Sequence, residues 1–353
     1  MEIHLDGKRV EVDAGATLQD ILPGRDPRCA VAVIVPRAAE AEQTRSLQVA
    51  TSGGEVVVEL LDPAQASPII SAIGGPLPIQ WADRYAAAFG PFPSGIRPDR
   101  APHLYERGDV ILGCSGYDPA RSALVFSRMR HVADHGAAAD GGVIGRVVSG
   151  RGVIDRWSPG AALERMERIV SVADTSRSFT TTDGSLLLEE GMQVISYVAA
   201  AAEGYEPGRI DTHSAASVEH LLWSVQDGHF RVGRATSTHI MDPTPAGIGV
   251  PAEHPSARRE GTITARAGGR SQGALYIYRT DLPGTPAHTV VGQVTHGIEL
   301  AKLATEGDIL CLQVSPERCD MIGLTVQEAS RIGAARNIAV DVDAPSGDWV
   351  VVD

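Results

Sequence analysis

The chain has 353 residues, 43% of them hydrophobic and 21% charged, enough apolar material for two or three domains with cores of their own. This balance excludes a disordered or collagen-like chain. Lys and Arg number 31 against 44 Asp and Glu, a net charge of −13, so the surface field repels phosphate backbones and anionic headgroups and neither nucleic acid nor membrane is an expected partner.

No window approaches the roughly 18–20 apolar residues of a bilayer crossing, and Met1-Glu2-Ile3-His4 does not open like a secretory signal. Cys29, Cys114, Cys311 and Cys319 are too scattered for a disulfide framework and form no Cys-x-x-Cys pair, which fits a reduced, cytoplasmic setting. Aromatic residues are only 5% while Gly (38) and Pro (22) are frequent, so cores of Val, Ile, Leu and Ala in turn-rich strands are expected.

In chain order, Glu2 to Leu5 and Lys8 to Val12 flank Asp6-Gly7, a strong hairpin signal. Thr17 N-caps a short helix stopped by Pro23-Gly24. Apolar runs follow at Cys29 to Val35, Ser46 to Thr51 and Glu55 to Leu61. Hairpin, helix and returning strands read as a β-grasp module over 1–62, similar to sulfur-carrier and TGS-type domains. Carrier members end in a free Gly-Gly, whereas Gly53-Gly54 here sits in a turn, so the module is read as a packing or docking unit.

Asp62 to Arg100, rich in Pro and Gly, reads as an irregular connector with one helical stretch around Trp81 to Phe89. An internal repeat follows. Ser122 to Arg128, then Gly142 to Val147 and Gly150, is echoed by Gly273 to Arg279, then Thr289 to Val294 and Gly297. Each copy is preceded by a β run (Asp109 to Gly113; Thr262 to Ala267) and followed by a predicted short helix (Ala161 to Ile169; Ile298 to Thr305). The pattern implies a duplicated β-barrel unit. Between the copies, Gly191 to Ala199 reads as a strand, and Ala216 to Asp227 as a helix with Val218, Leu221, Leu222 and Val225 on one side. Thr325 and Glu328 open a helix to Arg336 with a capping pattern, and Asp348 to Asp353 reads as a final strand of a small or incomplete module.

The second copy resembles cyclophilin. The residues that carry this are Ser217 to Leu222 running into Asp227-Gly228-His229-Phe230, then Gly261 to Arg266, Leu275-Tyr276-Ile277, and Ala287 to Val294, which is similar to the family's His-x-Val-Phe-Gly-x-Val element. The resemblance implies a peptide groove, with Ile240, Leu275, Tyr276 and His288 as its candidate residues in degenerate form. The family's catalytic arginine would follow His239, where Ile240 stands, so no guanidinium is expected at the groove and stabilisation of a twisted prolyl amide loses its charge-assisted donor. The expected fold is therefore multi-domain and mainly β with α+β parts: a β-grasp over 1–62, a connector and degenerate cyclophilin-like module over 63–180, a cyclophilin-like barrel over 181–320, and a short α/β end over 321–353.

The whole arrangement, with Phe89-Gly90-Pro91-Phe92 and with Pro316-Glu317-Arg318 leading into Met321 to Ala329, resembles the methanogenesis marker protein 3 family, the methyl-coenzyme M reductase-associated proteins of methanogenic and related archaea. That resemblance implies a non-catalytic accessory or scaffold subunit in the ATP-dependent complex that activates or matures the reductase. Its implied partners are the reductase and an ATP-binding component. An atypical peptidyl-prolyl isomerase acting on that complex is the alternative.

Other patterns point to chemistry less directly. His131, Asp134 and His135 have zinc-like spacing but lie in a loop without an evident third ligand. Cys311 and Cys319 could join a shared cluster only with a partner's help, and Cys311 between Leu310 and Leu312, like Cys114 after Leu112, reads as core. Gly268 to Gly273 lacks the Lys-Ser/Thr ending of a phosphate loop. Glu253-His254 and Arg258-Arg259-Glu260 read as a solvated rim. No catalytic residue, metal or cofactor is predicted.

Overall fold

A computed structural model describes residues 1–37, 44–96, 100–114, 116–136, 140–170, 175–207, 209–320 and 323–335. The molecule is mainly β, with three packed units whose strands interleave along the chain. The Asp6-Gly7 hairpin forms as expected, with both turn residues at positive φ (48° and 74°), the backbone of a type I′ turn. Thr17 caps its helix, with the Asp20 carboxylate accepting from the Thr17 N–H at 2.8 Å.

The sheet built on this hairpin has the order Thr175–Thr181, Val31–Pro36, Gln193–Ile195, Glu2–Leu5, Lys8–Glu11. It is completed by strands from beyond residue 170, not by Ser46–Thr51 and Gly54–Leu60, which the β-grasp reading over 1–62 had supplied. Those two strands instead enter a closed eight-stranded barrel of order Ser122–Ser127, Ala86–Phe92, Leu77–Ala82, Ala162–Ile169, Ser46–Thr51, Gly54–Leu60, Val143–Ser149, Asp109–Cys114. The barrel interior is filled, with Phe89 and Phe126 packed edge-on against Trp157 at 4.8 and 4.9 Å and the Trp157 indole donating to Thr51 Oγ1 at 2.9 Å.

Two expected helices are barrel strands. Trp81 to Phe89 folds as a hairpin because Asp83 Oδ1 accepts from the Tyr85 and Ala86 N–H groups at 2.7 and 2.9 Å, an Asx turn that stops helical propagation. Ala162–Ile169 has helix-forming residues, but its backbone pairs with Ser46–Thr51 and Leu77–Pro78. Closing the barrel satisfies two sheet edges at once and outweighs weak helical propensity. The connector therefore contributes two strands to the barrel, Leu77–Ala82 and Ala86–Phe92.

The third unit is an eight-stranded sheet of order His229–Arg231, Ile309–Ser315, Val198–Ala202, His288–His296, Thr262–Arg266, Leu275–Tyr278, His239–Asp242, Arg234–Ala235, covered by the Ala215–Ser224 helix. The single strand expected over Gly191 to Ala199 breaks at Ser196-Tyr197, so that Gln193–Ile195 serves the first sheet and Val198–Ala202 the third. Val31–Pro36 is buried on both faces: Val31, Val33 and Val35 point into the first core, Ala32 and Ile34 into the third. This accounts for its continuous apolar run. The helix expected from Thr325 is present as Val326–Ala335, and the strand expected over Asp348 to Asp353 lies outside the described residues. Among those described, no helix is long and apolar enough to cross a membrane.

The duplication is visible in detail. Gly150 and Gly297 open their helices at nearly identical dihedrals (φ 78°, ψ 24°; φ 77°, ψ 24°). Arg128 reaches the carbonyls of Asp83, Ile154 and Trp157, while Arg279 reaches those of Thr236, Ala301 and Ala304. In both copies one guanidinium ties the end of the short helix to the turn of the neighbouring hairpin.

The three units meet at His296. Its Nδ1 donates to Glu55 of the barrel at 2.5 Å, and its Nε2 lies 3.5 Å from Asp6 in the N-terminal turn. Asp6 also accepts from the Ser196 N–H and hydroxyl at 2.7 and 2.6 Å. Burial alone would lower the imidazole pKa, but the two carboxylates raise it to about 9. A folded-state pKa above the unfolded value means the contribution is complete below about pH 6.5 and is lost as pH climbs through 9. Urea midpoints should therefore fall across that window. His296→Gln should cost about 3 kcal/mol at pH 6 and flatten the dependence; an unchanged pH profile in this variant would contradict the assignment.

Candidate functional site

The residues expected to line a degenerate groove do not share one face. Along Leu275–Tyr278 side chains alternate, so Leu275 points into the third core beside Ile240, Ile277 and Ile263, whereas Tyr276 and Tyr278 stand on the outer face. Ile240 pairs in register with Ile277 and is core as well. Of the four candidates, only Tyr276 and His288 come together, with rings edge-on at 4.7 Å. His239, Tyr278, Thr264, Arg258 and Arg266 complete the cluster.

A guanidinium is present after all. Arg266 pairs in register with His288 across adjacent strands, and its Nη1 lies 3.3 Å from His288 Nε2. No arginine follows His239, yet a strand two positions away in the sheet delivers one to the same imidazole. Arg266 and Arg279 are the two arginines the sequence offers for a place beside His288, and the pairing of Thr262–Arg266 with His288–His296 selects Arg266. Arg279, by contrast, is committed to the helix-end carbonyls described above.

Arginine can only donate, so His288 Nε2 is the acceptor and the ring proton sits on Nδ1, facing Thr264 Oγ1 at 3.0 Å and the Tyr278 hydroxyl at 3.4 Å. Burial, then the Arg266 and Arg258 charges and His239, push its pKa down to about 4. Arg258 sits over the Tyr278 ring at 5.0 Å and donates to its hydroxyl at 3.0 Å. The cluster is closed: His288 is 6% exposed, Tyr276 5% and Tyr278 1%.

In the first copy the position equivalent to His288 is Gly141. A Cβ there would stand 2.3 Å from the His103 ring, so His103 occupies that space from another strand. Around it gather Tyr105, His131 and His135. His131 and His135 face each other through Nε2 atoms 3.2 Å apart, while Asp134 is turned to Arg100 at 3.0 Å, so the three residues of zinc-like spacing do not converge on one point.

The cysteines divide. Cys114 is buried with its thiol donating to the Asp118 carbonyl at 2.7 Å. Leu310 and Leu312 enter the third core, and Cys311, between them, faces the other way, contrary to the core reading. Asp26, Cys29 and His229 bring potential ligand atoms within 4.8 Å of one another. Glu260 is not on a solvated rim: it is 7% exposed, accepts from the Gly150 N–H at 2.8 Å and pairs with Lys302 at 3.0 Å.

No family model matches the chain. Curated relatives are the UPF0288 proteins of methanogenic archaea. That of Methanosarcina barkeri is 32% identical over 100% of this chain and 68% of its own length, and that of Methanosarcina acetivorans 34% over 96% and 64%. That of Methanothermobacter thermautotrophicus is 28% identical over 93% and 63%. The chain thus spans about two thirds of the length of these relatives. Among solved structures, a cyclophilin-type peptidyl-prolyl isomerase of Cryptosporidium parvum is 10% identical and covers 34% of this chain and 96% of its own, at a TM-score of 0.25. A cyclophilin of Hirschia baltica is 14% identical and covers 50% and 88%, at 0.27. Scores this low leave the fold to be argued from its own topology.

The site's electrostatics make a direct prediction. His288 should stay neutral and Nδ1-protonated down to about pH 5 in imidazole nitrogen NMR spectra. Arg266→Met should raise its pKa while leaving it below the ordinary histidine value of about 6.5, because burial remains. Titration of His288 at its ordinary value in the native protein would contradict this geometry.

Proposed function

The chain belongs to the UPF0288 family, and on that footing we propose that it is a non-catalytic accessory subunit of methyl-coenzyme M reductase in methanogens, working as a scaffold in the ATP-dependent complex that activates or matures the enzyme. The finer identity, a methanogenesis marker protein 3, rests on the resemblance drawn from the sequence. The partners are the reductase and an ATP-binding component of that complex, and the setting is the cytoplasm.

The observation that carries the scaffold reading is a pair of exposed aliphatic side chains on the two-stranded ribbon of His103–Tyr105 and His131–Ala133. Val132 (67% exposed) and Leu104 (44%) stand out from this ribbon, and Trp81 (38%) from the barrel strand Leu77–Ala82. Val132 pairs in register with Leu104, and Trp81 lies 5.4 Å from the His135 ring. Aliphatic side chains paired on an exposed face of an otherwise acidic molecule suit a protein partner better than a small substrate. The alternative, an atypical prolyl isomerase, draws on Arg266 beside His288, a donor of the right type set in a cluster of buried rings.

Tagged protein purified from a methanogen should bring down reductase subunits together with an ATP-binding protein, and Val132→Asp should lose them while remaining folded. Recovery of neither partner by the unsubstituted protein would sink the scaffold reading. In a protease-coupled assay on a prolyl peptide the protein should give no acceleration. An acceleration abolished by both His288→Ala and Arg266→Met would establish the isomerase instead.

A further inference from the structure

The loop before Val31–Pro36 lies along the strand Ile309–Ser315. Ala30 N–H donates to the Ile309 carbonyl at 2.7 Å, and Cys29 forms a parallel bridge with Ile309. On the other side of the same strand, His229–Arg231 pairs antiparallel with His229 directly opposite Cys311. Direct cross-strand partners project to the same face, so the Cys311 thiol and the His229 imidazole share the face opposite Leu310 and Leu312, and the loop delivers Asp26 and Cys29 to it.

Three of these groups converge, and Cys311 stands beside them. Asp26 Oδ2 lies 3.1 Å from His229 Nε2. The ligand atoms of Asp26, Cys29 and His229 are all within 4.8 Å of one another, and the strand pairing that sets Cys29 beside Ile309 brings the Cys311 thiol to the same edge. A tetrahedral zinc site with Zn–S of about 2.3 Å and Zn–N or Zn–O of about 2.0–2.2 Å needs ligand atoms only slightly closer than this. The surroundings also suit a metal ligand. His229 Nδ1 is sealed from solvent without a hydrogen bond, and it lies 3.4 Å from Asp227 Oδ2, the carboxylate that would orient a ring coordinating through Nε2. Arg28 holds the Asp26 carboxylate from outside with its Nε and Nη2 at 3.1 and 2.6 Å.

We propose that Asp26, Cys29, His229 and Cys311 form a binding site for one divalent transition-metal ion, with zinc the best match to the ligands. Two thiolates and an imidazole select a soft or borderline ion over magnesium or calcium. On binding at Nε2, the single proton of the neutral imidazole passes to Nδ1, facing Asp227, and the two thiols release theirs, so two protons leave for each ion taken up. Because Asp26 and Cys29 enter from the N-terminal unit while His229 and Cys311 belong to the third, the ion would staple the two together. This inference is independent of which partners the molecule has.

The test is metal analysis of the full chain purified under reducing conditions, followed by titration of the metal-free protein with Zn²⁺ and Co²⁺. One zinc per chain is expected, with a cobalt complex showing thiolate charge-transfer absorption and a melting temperature that rises with zinc. Cys311→Ser and His229→Gln should each weaken zinc binding by more than about 100-fold, beyond the 10–100-fold typical of an outer partner, whereas Cys319→Ser should bind as the native chain does. Circular dichroism checks that the variants fold, and the cobalt spectrum of the native chain needs no variant at all. Failure of the native chain to bind either ion, a cobalt complex without thiolate absorption, or equal loss of binding in Cys319→Ser overturns the site.

Discussion

The arrangement of the whole molecule depends on one buried imidazolium. His296 ends the longest strand of the third unit, and it meets Glu55 from the barrel and Asp6 from the N-terminal turn. Two carboxylates brought together without a cation would repel and carry desolvation costs of several kcal/mol; the imidazolium removes both penalties and fixes the angle at which three sheets meet. The turn that supplies Asp6 is itself constrained. A Cβ at Gly7 would stand 2.8 Å from Gln48 of the barrel, so the tight Asp-Gly turn is required by the interface as well as by the hairpin. Gly54 and Gly152 play the same part nearby, where a Cβ would meet Thr295 and Gln293 at 2.8 and 2.2 Å. Small residues let the backbones approach, and the charged triad then holds them.

The duplicated unit shows what such a fold keeps and what it is free to change. Both copies retain the left-handed glycine before the helix and the arginine that gathers the helix-end carbonyls. These solve a problem any copy would have, since the last carbonyls of a short helix lack intrahelical donors. The outer face solves no such problem and has diverged. One copy carries His288 with Arg266; the other carries Gly141, with the His103 ring filling the vacated space. The two copies therefore share a scaffold and present chemically unlike outer faces.

Much of this was legible in the sequence where the information is local. The Asp6-Gly7 turn, the Thr325–Glu328 cap and the strands of both repeats follow from adjacent residues, and the structure contains them. What failed was long-range. Ser46–Thr51 and Gly54–Leu60 make a good hairpin in either of two sheets, and local pattern does not say that the first sheet takes strands from beyond residue 170 instead. Ala162–Ile169 has the composition of a helix and becomes a strand because barrel closure needs it. The groove residues failed through a parity error: Leu275 and Tyr276 are neighbours in sequence and therefore on opposite faces of a sheet. No motif around Arg266 assigns it a role; strand register does, by setting it opposite His288.

The same reasoning explains why Cys311 could not be read correctly from its neighbours. An apolar run of Ile309, Leu310, Cys311 and Leu312 looks buried throughout, and it is the pairing with His229 on one edge and the approach of Cys29 on the other that give its alternate face a separate chemistry. Those partners lie 82 and 282 positions away in sequence, so only the topology could join them. That topology has a definite requirement: the N-terminal loop must run parallel to Ile309–Ser315 so that Val31–Pro36 can be buried on both faces. The packing that makes this strand a shared wall of two cores therefore also sets Asp26 and Cys29 against His229 and Cys311. The junction at Asp6 and His296 and this cysteine–histidine cluster thus fasten the N-terminal unit to the third sheet at two separate places, the first through a proton and the second through side chains suited to a metal.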